Sequence, residues 1–288
     1  MNLNLVTVET ADQVVLHGVF YEGDYNKPAV IIMHGAAMNF YTGVGRFLPG
    51  IINPQGYACL SANNRGHDFG TAPDGDKKPV LGLMRERFQD CVHDVRAWVD
   101  YLHRGGYQKV VLLGHSQAIP KILYAQNLEQ FSRVAGLVLV GPPPSVSKMM
   151  RYLVSDNYYE RGLFKANELA ELGMDDQLIV LRGRGTMPWI FTPGTFLSFY
   201  GPDTPADTEK LIRKVFCPVL LVRGSKDFEP VSRELLQSIK KNAGQPEDCE
   251  IVEIEGADHF YSQHEEALGR IILQWLGKLN LAPSPAAI

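Results

Sequence analysis

The sequence predicts an α/β protein. Its core is a doubly wound, mostly parallel sheet of eight strands flanked by helices, and a largely helical segment is inserted into it. Three observations carry this expectation. Short apolar runs rich in β-branched residues recur eight times along the chain, as strands do. Helical patterns lie between most of them, and strand–helix alternation means a parallel sheet. Residues 142–214 break that rhythm and are too long for a plain connection between neighbouring strands.

The first two runs, Leu3–Val8 and Val14–Phe20, read as an antiparallel pair at a sheet edge. Ala29–Met33, Tyr57–Ala62, Val110–Gly114, Gly136–Gly141, Pro218–Gly224 and Glu250–Gly256 come after them. Four of these are nearly continuous apolar stretches, the mark of strands covered on both faces. The clearest helix carries Phe88, Val92, Val95, Val99 and Leu102 at steps of four and three, closed by Gly105 and Gly106. A final helix carries Ala267, Ile271, Trp275 and Leu279. Residues 142–214 hold two helical-looking pieces, Lys148–Tyr159 and Lys165–Gly173, a Pro/Gly/aromatic piece, and no convincing strand. The expected division is a core of residues 1–141 and 215–280, a cap of residues 142–214, and a loose tail, residues 281–288.

Composition narrows the function classes. A hydrophobic fraction of 45% supports a sizeable core, and a net charge of −4 carries no concentrated positive field, which argues against a nucleic-acid partner. The start lacks the pattern of a secretory signal, and no run approaches the length of a membrane span. Cys59, Cys91, Cys217 and Cys249 are far apart, without a C-x-x-C pair. They read as free thiols of a cytoplasmic protein. No His or Cys cluster has metal-ligand spacing, so no metal or cofactor is expected.

In an open parallel sheet, ligands bind at the carboxyl ends of the strands. Four short turns stand at such ends: His34-Gly35-Ala36-Ala37, Gly114-His115-Ser116-Gln117-Ala118, Gly224-Ser225-Lys226-Asp227 and Gly256-Ala257-Asp258-His259. A serine, a carboxylate and a histidine thus occur in the chain order Ser, Asp, His.

These four turns, in this order, resemble the oxyanion turn, nucleophile elbow, acid turn and histidine loop of the α/β-hydrolase superfamily. The resemblance runs from about Leu3 to Leu279. It departs from the Gly-x-Ser-x-Gly elbow at Ala118, where a glycine is usual. It implies a catalytic Ser116, Asp227 and His259. A serine hydroxyl needs a base, an imidazole supplies one near neutral pH, and a carboxylate holds the ring in the required tautomer. The oxyanion donors it implies are the backbone N–H groups of Ala36 and Gln117.

Each residue has a plainer reading. Asp227 before Pro230 could cap a helix, and Glu229 and Asp258 are its rivals as the acid. His264 falls in the final helix, where a solvent-facing histidine is ordinary. His34 and His115 flank the site and read as packed side chains, with His34 retained as a substrate-binding candidate. Arg65 reads as a holder of loops, with His67 and Asp68 as outer candidates for the pocket. Trp189, Phe191, Phe196, Phe199 and Tyr200 either line an apolar substrate pocket or form the insert's own small core.

The expected function is a serine hydrolase that cleaves an ester, thioester or lactone of a small to medium apolar molecule through an acyl-enzyme on Ser116. The same machinery also serves carbon–carbon bond hydrolysis and acyl transfer, and a ligand-binding receptor on a retained hydrolase fold is the reading from another class. The partner is a small-molecule acyl substrate. Sequence does not decide between monomer and homodimer.

Overall fold

The computed structural model describes residues 4–71, 80–185 and 188–279. The expected loose tail, 281–288, lies outside the described residues. In chain order the elements are β1 (Asn4–Glu9), β2 (Val15–Tyr21), β3 (Ala29–Met33), α1 (Val44–Ile52), β4 (Cys59–Ala62), α2 (Cys91–Arg104), β5 (Val110–His115), α3 (Ala118–Glu129) and β6 (Val134–Val140). After them come α4 (Val146–Val154), α5 (Asp156–Glu171), β7 (Ile179–Arg182), β8 (Pro188–Phe191), α6 (Pro193–Tyr200) and α7 (Thr208–Leu211). The chain closes with β9 (Val219–Gly224), α8 (Arg233–Asn242), β10 (Cys249–Ile254) and α9 (Glu265–Leu276).

Eight strands form one sheet in the order β1-β2-β4-β3-β5-β6-β9-β10. β1 pairs antiparallel with β2, and β2 with β4; the other pairs are parallel. All eight sequence runs become strands of this sheet. The continuous apolar strands divide by period two. Ala29, Ile31 and Met33 of β3 face one core with α2, α3 and α8. Val30 and Ile32 face the other with α1 and α9. Because β3, β5, β6, β9 and β10 run the same way, their carboxyl ends share one edge of the sheet.

The structure corrects two details of the sequence reading. The final helix buries Leu268, Ile272, Trp275 and Leu276, while Ala267 and Ile271 lie at its margin. Apolar residues at 267/268, 271/272 and 275/276 make two parallel stripes, and only packing selects between them. Gly269 tips the choice: a Cβ there would meet Ile51 at 2.5 Å, so this face of α9 lies closest to α1.

The second correction falls between β6 and β9. This segment is mainly helical, but it also holds the antiparallel pair β7–β8, with Ile179 opposite Phe191 and Leu181 opposite Trp189. Ile179 and Leu181 are buried while Val180 and Arg182 are exposed. The period-two signal was therefore present, but four residues long and half masked by the apolar Val180. The first helical piece splits at Ser155, whose φ of +77° ends α4 and starts α5.

Among the described residues no helix is long and apolar enough to cross a membrane, and no cluster of three or more His, Cys, Asp or Glu side chains could hold a metal ion.

Candidate active site

β5 ends in a sharp turn into α3, and Ser116 sits at its apex with φ +55°, a conformation that costs a non-glycine residue energy. The turn is held from both sides. The Ser116 N–H donates to Val140 O at 2.9 Å, and the Ile119 N–H donates to Ser116 O at 3.0 Å. Two glycines give the turn room. A Cβ on Gly114 would meet the Ala118 carbonyl carbon and the Ile119 nitrogen at 3.2 Å; one on Gly35 would meet Ser116 Cβ at 3.1 Å.

Asp227 lies in the turn after β9, where its N–H donates to Gly224 O at 3.1 Å. Its carboxylate is fully buried and accepts from the Phe228 N–H through Oδ1 at 2.7 Å. His259 comes after β10 and brings its Nδ1 to 2.6 Å from Asp227 Oδ1 and its Nε2 to 3.0 Å from Ser116 Oγ. A carboxylate on Nδ1 puts the proton there, so the Nε2 lone pair faces the serine hydroxyl. The structure thus brings Ser116, Asp227 and His259 into one hydrogen-bonded line.

Neither rival carboxylate reaches this line. Glu229 is exposed. Asp258 Oδ1 accepts from the backbone N–H groups of Phe260 and Ser262. Partial burial raises its carboxyl, but those bonds outweigh it and the group lies below its ordinary range. His264 bonds Ser262 O and stays outside the site.

His115 stacks beside His259 with ring centroids 4.9 Å apart. Its Nε2 bonds the His259 carbonyl at 2.9 Å. That nitrogen must be the protonated one, because a carbonyl only accepts. Burial, then the neighbouring His259, pushes the His115 imidazole down to about 3, so it remains neutral. His34 is also buried and neutral, pushed down to about 3 chiefly by burial. Its Nε2 accepts from the Asn64 N–H and its Nδ1 donates to Gly35 O. It does not line the cavity, so the structure gives it a packing position in place of the expected substrate contact.

Over Ser116 opens a cavity of about 140 Å³. A cavity of roughly 150 Å³ with apolar walls accepts a benzene-sized group. Gly35, Ala36, Met38, His115 and Gln117 line it from the core, Phe228 and Phe260 from the loops after β9 and β10. Residues 142–214 contribute Pro143, Val146, Met149, Met150, Leu153, Trp189 and Tyr200. The Ala36 and Gln117 residues face this space, and among the described residues neither backbone N–H donates to a protein acceptor.

The aromatic expectations divide. Trp189 and Tyr200 line the cavity. Phe191, Phe196 and Phe199 are fully buried in an apolar cluster with Tyr159 and Leu181 that backs the cavity-lining Val146, Met150 and Tyr200, and they do not themselves line the cavity. Their rings pack on one another and on Tyr200, so the plainer reading holds for those three.

Sequence reasoning missed several contributors. Phe228 stacks on the His259 ring at 4.4 Å. Gly141, at φ +64°, leaves space that a Cβ would deny: it would stand 3.1 Å from His259 Cε1 and 3.3 Å from Asp227 Oδ2. The strand-final glycine of "VLVG" was a usable signal for it; nothing flagged Met38, Met149 or Met150. Arg65 binds Asp94 and Asp12, the loop-holding position expected of it. His67 bonds its neighbour Asp68, and neither lines the cavity.

The profile of the alpha/beta hydrolase family matches residues 30–271. No curated protein matches the chain. Several solved structures resemble it in fold. Est1E from Butyrivibrio proteoclasticus with ferulic acid bound has a TM-score of 0.71 at 18% identity, covering 95% of this chain and 99% of its own. The esterase domain of a Rhodothermus marinus protein has a TM-score of 0.61 at 18% identity, covering 96% and 98%. A malate-bound thermophilic esterase from Thermogutta terrifontis has a TM-score of 0.62 at 18% identity, covering 96% and 100%.

Proposed function

The chain belongs to the alpha/beta hydrolase family, and from that premise we propose that it is a serine hydrolase cleaving carboxylic esters, or the related thioesters and lactones, of small to medium apolar molecules. The observation that carries this reading is the unbroken line Ser116 Oγ–His259 Nε2, 3.0 Å, and His259 Nδ1–Asp227 Oδ1, 2.6 Å, at the floor of an apolar cavity.

In this reading Ser116 Oγ attacks the acyl carbon while His259 Nε2 takes its proton. Asp227 stabilises the imidazolium that forms. The carbonyl oxygen becomes an oxyanion and is met by the Ala36 and Gln117 N–H groups, each such donor contributing about 3–4 kcal/mol to the transition state. The tetrahedral centre collapses, the C–O bond to the leaving group breaks, and His259 returns its proton to the departing alcohol. Water then attacks the acyl-enzyme with His259 again as base, which frees the acid and restores Ser116. Phe228 and His115 flank the imidazole and keep it in line.

Residues 142–214 act as the cap. The reading is supported by their contribution of about half the cavity-lining residues, Met149, Met150, Trp189 and Tyr200 among them. Unbranched methionines adapt to differing apolar shapes, which suits an acyl pocket. The test is labelling with a fluorophosphonate probe and hydrolysis of p-nitrophenyl esters and thioesters of graded chain length. The wild-type protein is expected to label and to favour short acyl groups. Labelling or turnover that persists in Ser116→Ala refutes the assignment.

A further inference from the structure

Apart from Ser116, His115, His259 and the Trp189 indole, the side chains of the cavity wall are polar only where Gln117 meets Tyr200. Gln117 Nε2 donates to the Tyr200 hydroxyl at 2.8 Å. Both side chains are buried, with 6% and 2% exposure, and both residues line the cavity beside Ser116. The Tyr200 backbone is tied in turn, because the Tyr159 hydroxyl donates to its carbonyl. The phenol therefore stands in a fixed place.

This pair leaves hydrogen-bonding capacity of both kinds unused: donors on the Tyr200 hydroxyl and on the second Nε2–H of Gln117, and an acceptor in Gln117 Oε1. Gln117 occupies a lone pair of the Tyr200 oxygen, so the phenolic O–H points elsewhere, and among the described residues it finds no acceptor. Burial holds the phenol well above its ordinary value, so it remains a donor. Gln117 Oε1 is buried and, among the described residues, has no donor. Exchanging O and N of the amide reverses the bond and still leaves donors on the amide nitrogen and an acceptor on the phenol oxygen. Buried polar groups are almost always satisfied, and one group meets a donor and the acceptor at once: a hydroxyl, which accepts from the one and donates to the other.

Charge limits the choice. Among the described residues, none that lines the cavity is a lysine, arginine, aspartate or glutamate. The nearby Lys121 is already committed to Glu86 and Asn64. An ionised substituent would enter without a counter-charge, at high cost, whereas a neutral hydroxyl enters with both its bonds made. Gln117 adjoins Ser116, so the substituent must lie within a few carbons of the acyl carbon.

Resting on the serine-hydrolase reading, we propose that Gln117 and Tyr200 form a hydroxyl-recognising subsite, and that the preferred substrates are esters of short hydroxylated acids.

The experiment compares ethyl butanoate with ethyl 2-, 3- and 4-hydroxybutanoate by acid release. One hydroxy ester is expected to exceed butanoate about tenfold or more in kcat/KM, as befits a buried hydrogen bond. Tyr200→Phe and Gln117→Leu are each expected to bring that ratio to within about threefold of one, with circular dichroism reporting that they remain folded. The same preference is read without turnover as the ratio of Kd values in Ser116→Ala, by calorimetry. Ser116-dependent hydrolysis of butanoate tests the hydrolase reading; the ratios test the subsite alone. Equal handling of all four esters, in turnover and in binding, means the pair holds only water and overturns the proposal. So does a preference that survives both substitutions.

Discussion

Gly35→Ala tests how tightly the nucleophile is held. Gly35 has no left-handed φ, so alanine brings no backbone strain and its effect is steric. The added methyl would lie 3.1 Å from Ser116 Cβ and 3.3 Å from both Nδ1 and O of His115. Carbon atoms pack best at about 3.5–4.0 Å, so Ser116 or Gly35 must yield by roughly 0.4 Å. Ser116 has little room to do so, because its N–H is held by Val140 O and its carbonyl by Ile119 N–H. The displacement therefore falls on the Ser116–His259 hydrogen bond, now 3.0 Å. A misplacement of about 1 Å at a reacting group costs on the order of a hundredfold in rate, so 0.4 Å predicts a loss of about tenfold in kcat. Overpacking of this kind also destabilises by about 1–3 kcal/mol, which corresponds to a Tm lower by a few degrees. The assay is p-nitrophenyl ester hydrolysis with a parallel melting curve. Gly50→Ala is the control, since a Cβ there meets nothing within 4 Å. Wild-type kcat in Gly35→Ala would refute the claim that this glycine makes room for the elbow.

Three further outcomes are expected. Asp227→Asn keeps the shape but loses the charge that orients His259, so kcat falls by about 10⁴; ester hydrolysis within tenfold of wild type overturns the carboxylate's role. His34 and His115 are both held near 3 in the fold against 6.5 in the open chain. The unfolded state thus binds more protons between those values, and stability falls as pH drops from 6.5 towards 3, by at most about 1.4 kcal/mol per pH unit for each ring. Urea unfolding at pH 7.5, 6 and 5 should give a shallower pH slope for His115→Gln than for wild type, and an identical slope counts against the buried neutral ring. Lys121→Met strands the buried Glu86 carboxylate, whose partner lies 2.6 Å away, and should cost about 3–5 kcal/mol, whereas the double variant Lys121→Met/Glu86→Leu should recover most of that loss. A double variant no more stable than the single one contradicts this.

The central strands were legible because burial on both faces leaves a nearly continuous apolar run, which survives any detail of packing, whereas β1, β2 and β10 are partly exposed and were legible from their β-branched residues. The line from Ser116 to Asp227 was legible for a topological reason. Parallel strands bring their carboxyl ends to one edge, so the order of strand ends in the sequence becomes a site in space. What stayed hidden depends on contacts between segments distant in sequence. Phe228 gains its place on His259 only when β9 and β10 lie side by side, and Gly141 matters only because two loops cross over it. The one-residue shift of the α9 stripe has the same origin, since Ile51 on α1 selects the face. Within 142–214 the aromatics could not be sorted by pattern, because a small cluster's core and a pocket wall have the same composition. Phe196 and Tyr200 sit one turn apart on α6, and only the approach of Gln117 separates them.

The departure at Ala118 illustrates how a motif and its physical cause can come apart. Crowding at the elbow is real, but it is centred on Gly114, where a Cβ would press on the Ala118 carbonyl carbon, the Ile119 nitrogen and, at 2.9 Å, the Ile122 side chain. That contact is between the end of β5 and the backbone of α3, so it constrains the residue at 114. The Ala118 methyl is fully buried among core residues of the α2/α3 face, and alanine is the best helix former for the first turn. Pro120 completes that turn where a missing N–H is tolerated. The second glycine of the pattern is thus dispensable here for a reason that does not extend to the first.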